Sequence, residues 1–215
     1  MGDELGISIM MGKKDSIPQG PQFPSDILAV RADKKGPRTV AILLIIGAIL
    51  IAGQAYGDWQ LNSAQDLSDA EVEEILVTLN SQGGEKLSIE EYQEFHDAGR
   101  DSGGYLLRAS GLGLAAVLIF IGAPLLFKLN PLGAKLSIAG ASIGFLGGVA
   151  GSYQLNQAAM ETLHGPLSFA YELMMYLCGV CMAACIALAV MPLFNVAARM
   201  ALYGEDKVAL IQEQE

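Results

Sequence analysis

The stretch TVAILLIIGAILIAGQAYG, residues 39–57, contains no charged side chain and decides the class of the fold. About 20 apolar residues in succession are enough to cross the hydrocarbon core of a bilayer as a helix. Three further apolar blocks follow, at residues 105–127, 136–153 and 173–198. Because lipid offers no water to the backbone amides, a spanning segment must satisfy them internally, which a helix does. The sequence therefore predicts an all-α fold built as a bundle of four transmembrane helices.

The overall composition agrees with a membrane protein and argues against one class of partner. Hydrophobic residues make up 52% of the 215 positions and charged residues only 17%, which is too apolar for an ordinary soluble domain. The formal net charge is −10. Binding a nucleic acid requires clustered lysine and arginine, so no nucleic-acid partner is expected.

The basic residues predict the orientation of the four spans, since lysine and arginine beside a span resist translocation. All but three of the 13 basic residues lie in segments 1–38, 128–135 and 199–215; the exceptions are Lys86, Arg100 and Arg108. We therefore expect a flexible cytoplasmic tail at each end, a cytoplasmic turn at 128–135, and a multi-pass protein of the cell membrane with both termini in the cytoplasm.

This orientation places segments 58–104 and 154–172 outside, the second as a loop. Segment 58–104 contains 12 acidic residues, Asp58 among them, opposed only by Lys86 and Arg100, so its charge is −12 + 2 = −10. Ser68 or Asp69 can cap one amphipathic helix, and a second begins after Ser88. The segment is predicted to be a small acidic helix-loop-helix domain between the first two spans, with its carboxylates on a solvated face.

The second half of this segment, LSIEEYQEF at residues 87–95, resembles an EF-hand. The resemblance implies that Glu91 is the bidentate twelfth ligand and Ser88 the ninth. Asn80 and Gln82 would then be the first and third ligands. Gly84 and Glu85 occupy the fifth and sixth positions, where the family has a further ligand and a glycine, so the match is to a degenerate hand. Calcium is thus a candidate ligand.

The third span contains glycine at every fourth position, at Gly140, Gly144 and Gly148. In lipid, helices associate through close van der Waals contact, and small residues at this spacing let two backbones approach each other. We expect this face to form the packing centre of the bundle. A contact between two copies of the chain is the alternative interpretation.

The fourth span holds all three cysteines, Cys178, Cys181 and Cys185, at i, i+3 and i+7 on one helical face, which Met174 extends. Thiolate and thioether ligands favour copper(I), and a Cys-x-x-Cys pair can also exchange disulfides. The competing interpretation is packing, because cysteine is a small residue that is often buried and unreactive.

The remaining polar residues give no catalytic arrangement. Arg108, at the start of the second span, is a candidate to pair with Glu172, which precedes the fourth. Asn195, near the inner end of the fourth span, is of the type that makes hydrogen bonds between helices. His96 and His164 are expected to be ordinary surface residues. No catalytic residue is assigned.

These observations favour a non-enzymatic membrane protein that acts through protein contacts, as a subunit or an assembly factor. The acidic outer domain would be its contact surface, and its partners would be the lipid bilayer and another protein or a second copy of the chain. Two alternatives stay open: a small transporter or channel, and a soft-metal or thiol redox role of the cysteine face. A cofactor is not expected, apart from the calcium and copper considered above.

Overall fold

The computed structural model describes residues 31–64, 67–80, 87–164 and 166–204. These residues form seven helices and no strand. The helices are α1 (Lys35–Ser63), α2 (Asp69–Asn80), α3 (Ile89–Asp101), α4 (Gly104–Phe127), α5 (Pro131–Thr162), α6 (Pro166–Phe194) and α7 (Val196–Tyr203). The predicted all-α class is confirmed for this part of the chain.

Four of the helices, α1, α4, α5 and α6, are long and apolar enough to cross a membrane. Most of their apolar surface is not covered by protein. Only 17% of the residues in the apolar window of α6, and 39% in that of α4, are buried. Leu50, Leu146 and Val180 are each more than two-thirds exposed. Soluble proteins rarely expose contiguous apolar surface of this extent, so these four helices are consistent with a multi-pass membrane protein.

The four long helices share one core, but they do not all pack on one another to the same extent. Helix α4 packs most extensively on α5 and also packs on α1, and α6 packs on α5. Helices α1 and α6 make far fewer contacts with each other. A groove runs between α1 and α6.

Helices α4 and α5 form an antiparallel hairpin around a turn of three residues. Leu129 adopts a positive φ of 61°, which is uncommon outside glycine. The side chain of Asn130 then accepts a hydrogen bond from the Leu132 N–H at 2.9 Å, and Pro131 begins α5. The turn predicted at 128–135 is thus shorter in the structure, because an asparagine cap followed by proline starts the helix at once.

The connection between α5 and α6 is also shorter than the loop predicted at 154–172. Helix α5 continues to Thr162, α6 begins at Pro166, and only three residues separate them. The loop prediction is wrong over most of its length. The length of an apolar block predicts only the part of a helix that crosses the lipid. Helix α5 continues beyond its apolar block because Ala158 and Ala159 pack against another part of the chain.

That other part is the helical insert, by which we mean the described residues 67–80 and 87–101, including α2 and α3. Its apolar side chains form a second core with the end of α5 and the start of α6. The members of this core include Val72, Leu76, Tyr92, Phe95, Ala158, Ala159 and Leu163. The insert therefore packs directly on one end of the bundle, which we call the insert end.

The opposite end of the bundle holds the two ends of the described chain. The Asp33 N–H, just before α1, donates a 2.8 Å hydrogen bond to the carbonyl of Ala197 in α7. The fourth predicted span, 173–198, is interrupted at Asn195, whose side chain accepts hydrogen bonds from the N–H groups of Ala197 and Ala198. Asn195 is thus the N-cap of α7, and its expected interhelical role does not appear among these contacts.

Candidate functional site

The insert end contains a buried ion pair between Asp58 of α1 and Arg108 of α4. The Arg108 Nε donates a 2.7 Å hydrogen bond to Asp58 Oδ2, and its Nη2 donates to Asp58 Oδ1. Only 3% of Asp58 and 6% of Arg108 is exposed. The fork of the guanidinium thus engages both carboxylate oxygens, which is the strongest arrangement available to this pair of residue types.

Two expectations from the sequence fail at this pair. Asp58 lies on the buried face of α1 and not on the acidic surface, because α1 continues six residues beyond the predicted end of the span. Arg108 pairs with Asp58 and not with Glu172. The two partners are separated by 50 positions, so the sequence offers no local signal for the pairing.

Helix α3 lies over this end of the bundle and buries one complete face. Tyr92, Phe95, His96 and Gly99 are its buried residues, at i, i+3, i+4 and i+7. The Phe95 ring lies 4.6 Å from the Tyr171 ring, between centroids. Burial raises the pKa of Tyr92 above its ordinary value, and a hydrogen bond with Tyr171 lowers it to a smaller degree. The Tyr92 hydroxyl therefore stays protonated at neutral pH.

His96 is among the most deeply buried residues of α3, so the prediction that it lies on the surface is wrong. Its exposed fraction is 1%, and its ring centroid lies 5.8 Å from that of Tyr105. The His96 Nε2 lies 2.9 Å from the carbonyl oxygen of Leu61. A carbonyl only accepts hydrogen bonds, so Nε2 carries the proton in this contact.

Polar side chains of α3 hold the end of α1 and the start of the insert. His96 bonds to the Leu61 carbonyl, Arg100 Nη1 donates to the Ala64 carbonyl at 2.8 Å, and Gln93 Nε2 donates to the Leu67 carbonyl. The last carbonyl groups of a helix lack partners within the helix. Side chains of α3 supply partners here, and through Gln93 the same helix also binds the start of the insert.

The predicted glycine face of α5 contacts both neighbouring helices. A Cβ atom added at Gly140 would lie 2.8 Å from Leu118 Cβ of α4, and one at Gly148 would lie 3.2 Å from Cys178 Sγ of α6. Gly144 faces Ala115 of α4 and Met182 of α6. These three glycines therefore lie at contacts within the chain.

A close approach between the α4 and α5 backbones lies beside this face. A Cβ atom added at Gly147 would lie 2.7 Å from the Cα atom of Gly111, and the reverse distance is also 2.7 Å. Such distances leave no space for any side chain at either position. The crossing point of the hairpin is thus a glycine-on-glycine contact, which requires the partner glycine in α4 as well as the pattern in α5.

The three cysteines line the groove between α1 and α6. Cys178, Cys181 and Cys185 contribute to a cavity of about 370 Å³ together with Met174 of the same helix and Gln54 of α1. All three thiols are free. Within the described residues, no three His, Cys, Asp or Glu side chains are grouped so as to hold a metal ion. The copper and thiol hypotheses stay predictions.

The EF-hand-like segment lies only in part within the described residues. Residues 81–86, which include Gln82, Gly84 and Glu85, lie outside the described residues, as does the side chain of Asn80. Glu91 is described, and its Oε2 accepts a hydrogen bond from the Ser88 N–H at 2.9 Å. This bond lowers the pKa of the Glu91 carboxyl. Calcium binding stays a prediction.

The surface of the insert is strongly acidic. The exposed carboxylates of α2 and α3 are Asp69, Glu71, Glu73, Glu74, Glu90, Glu91, Glu94, Asp97 and Asp101. Arg100 lies beside them, but it is half-buried and engaged with Ala64 and Asp97. An acidic face of this size, on helices anchored by their other side, presents fixed negative charge to solvent.

A groove of about 880 Å³ runs between the end of α1 and helix α2. Its lining includes Tyr56 and Trp59 of α1, Leu67, and the α2 residues Glu71, Glu74 and Ile75. More than half of the Tyr56 and Trp59 side chains is exposed. The groove thus combines aromatic and aliphatic surface with carboxylates.

Comparison with known proteins does not identify this arrangement. No protein-family model, no curated protein and no solved structure matches the chain. Its function therefore has to be inferred from its own residues and contacts.

Proposed function

We propose that this chain is a non-enzymatic multi-pass protein of the cell membrane that acts through protein contacts, as a subunit or an assembly factor. Helices α2 and α3 of the insert are its contact surface. The insert lies on the extracytoplasmic side and both termini lie in the cytoplasm.

The observation that carries the proposal is the division of the insert into a docked side and an acidic side. Tyr92, Phe95 and His96 are buried against the bundle, whereas Glu90 and Glu94 of the same helix are exposed. Charges held on a docked helix are already oriented when a partner arrives, which lowers the entropic cost of association. Charge of one sign also accelerates encounter with a partner of the opposite sign.

The proposed orientation has two supports. Basic residues are concentrated in the segments assigned to the cytoplasm, and an excess of lysine and arginine marks that side of a membrane. The hydrogen bond from Asp33 to Ala197 brings both ends of the described chain to the end of the bundle opposite the insert. Four spans with adjacent ends require both termini to lie on one side.

The test is affinity purification of the tagged chain from its native membranes, with quantification of co-purified proteins. A triple variant, Glu73→Gln, Glu90→Gln and Glu94→Gln, removes three exposed carboxylates from the insert. The matched control, Glu205→Gln, Glu213→Gln and Glu215→Gln, removes three from the C-terminal segment. We expect a stoichiometric partner to be retained by the parent and the control, and to be depleted several-fold with the insert variant.

Equal recovery of the partner from all three forms would contradict the proposal, as would purification of the chain alone. Co-expression of two differently tagged copies shows whether the partner is a second copy of this chain. In that case the two tags co-purify, and the insert variant separates them.

A further inference from the structure

From the groove between α1 and α2 we infer a docking site for a basic, partly apolar peptide segment of the partner protein. The inference rests on the proposed function and specifies the partner chemistry. Lysine or arginine side chains would contact Glu71 and Glu74, while an apolar side chain would enter between Trp59 and Ile75.

The composition of the groove defines this occupant. Its volume of about 880 Å³ lies within the range of sites that hold a ligand or several side chains. Exposed aromatic rings attract cations through their faces, and Tyr56 and Trp59 offer two such rings. The carboxylates of Glu71 and Glu74 stand in the same lining. A cationic segment with an apolar anchor can contact both the aromatic rings and the carboxylates of this lining.

Other occupants fit less well. A second copy of the chain would bring another acidic insert, and like charges repel. An anionic membrane lipid would bring net negative charge, which the same carboxylates repel. The basic N-terminal segment of this chain, with Lys13 and Lys14, lies across the membrane in the proposed orientation.

The groove is held open by contacts that do not depend on the occupant. Gln93 bonds to the carbonyl of Leu67, and Arg100 bonds to that of Ala64, so both ends of the link between α1 and α2 are held by α3. Val72 and Leu76 bury the opposite side of α2 in the insert core. A preformed groove loses less entropy when it binds.

Trp59 is the only tryptophan of the chain, so its fluorescence reports on the groove alone. The purified full-length chain in neutral maltoside micelles is titrated with a synthetic peptide in which lysine alternates with leucine. The matched control peptide replaces every lysine with glutamate, and empty micelles provide the blank. We expect the lysine peptide to shift the Trp59 emission in a saturable and salt-sensitive manner, and the glutamate peptide to leave it unchanged.

Two matched variants locate the site. Glu74→Gln removes a carboxylate from the groove and is expected to weaken binding about two- to fivefold, the effect of losing one exposed ion pair. Glu94→Gln removes the same charge from α3 outside the groove, and we expect a smaller change. Anisotropy of a dye-labelled peptide measures the affinity independently of Trp59.

The docking site is refuted if the labelled peptide does not bind. It is also refuted if the peptide binds without changing Trp59 emission, or if Glu74→Gln and Glu94→Gln weaken it equally. The proposed function is tested separately, by the loss of the native partner from the triple variant Glu73→Gln, Glu90→Gln and Glu94→Gln. That variant leaves Glu74 unchanged, so the proposed function can hold even when the docking site is refuted. The two proposals therefore fail separately.

Discussion

Helices α2 and α3 of the insert begin with the same local pattern and end in different roles. In α2 the Ser68 N–H donates to Glu71 Oε2 at 3.0 Å, and in α3 the Ser88 N–H donates to Glu91 Oε2 at 2.9 Å. Both are capping boxes. Yet α3 buries a full face against the bundle, whereas α2 borders an open groove. Capping thus determines where a helix starts, and tertiary contacts determine how much of its surface is buried.

The largest expected effect comes from the ion pair at the insert end. Arg108→Met leaves the Asp58 carboxylate buried without its partner, and we expect a loss of about 4 kcal/mol in the free energy of unfolding. Unfolding in mixed detergent micelles, followed by circular dichroism, measures this loss. The double variant Asp58→Leu with Arg108→Met removes both charges and should recover most of the stability. A single variant as stable as the parent would show that the pair is not buried.

A pair of truncations compares the docked face of α3 with the exposed side of α2. Phe95→Ala removes a fully buried ring from the docked face of α3, and we expect a loss of about 3 kcal/mol or more. Val77→Ala shortens an exposed side chain of α2 and should change stability by less than about 0.5 kcal/mol. The same denaturation measurement applies to both. Similar losses from the two variants would mean that Val77 is buried as Phe95 is.

Removing the caps tests whether α3 controls the insert as a whole. Ser88→Ala should cost about 1 kcal/mol, the usual value of an N-cap, and lower the stability of the entire fold because α3 is docked. Ser68→Ala should affect α2 alone. Hydrogen exchange followed by mass spectrometry distinguishes local from global opening. Faster exchange throughout the insert in Ser68→Ala would contradict the difference between the helices.

The smallest expected effect is a pH dependence that both helices share. Hydrogen bonds with serine lower the pKa of Glu71 and Glu91 below the ordinary value of 4.5. The ionised carboxylates thus favour the folded state fully above pH 4.5, and this contribution is lost as the pH falls through the lowered pKa. Helicity should decrease slightly in that range. Glu91→Gln, which keeps the cap but does not titrate, should reduce the decrease.

The parts of this fold that depend on short stretches of sequence were predictable. The apolar blocks predict four long helices, and Ser68 and Ser88 mark the starts of α2 and α3. These signals depend on residues within one or two helical turns. The same is true of the turn at Asn130-Pro131, although the structure shortens it.

The parts that depend on tertiary contact were not predictable. In the sequence, Asp58 is one of several acidic residues that follow an apolar block. It reaches Arg108 only because α1 continues past the end of that block. The charged residues around His96 favour a surface position. Its spacing of i+4 from Tyr92 is the sequence signal that agrees with its place on the docked face. The role of Gly111 in helix packing depends on its contact with Gly147, which lies on a different helix and is not apparent from the sequence around Gly111.

The arrangement of spans and insert relative to a bilayer underlies every role assigned to α2 and α3. The most direct test labels single cysteines in sealed, right-side-out vesicles with an impermeant maleimide, after Cys178, Cys181 and Cys185 are changed to alanine. Val77→Cys reports on the insert, and Ser16→Cys reports on the N-terminal segment. The account predicts labelling of Val77→Cys in intact vesicles, and of Ser16→Cys only after the vesicles are permeabilised. Labelling of both positions in intact vesicles would contradict it.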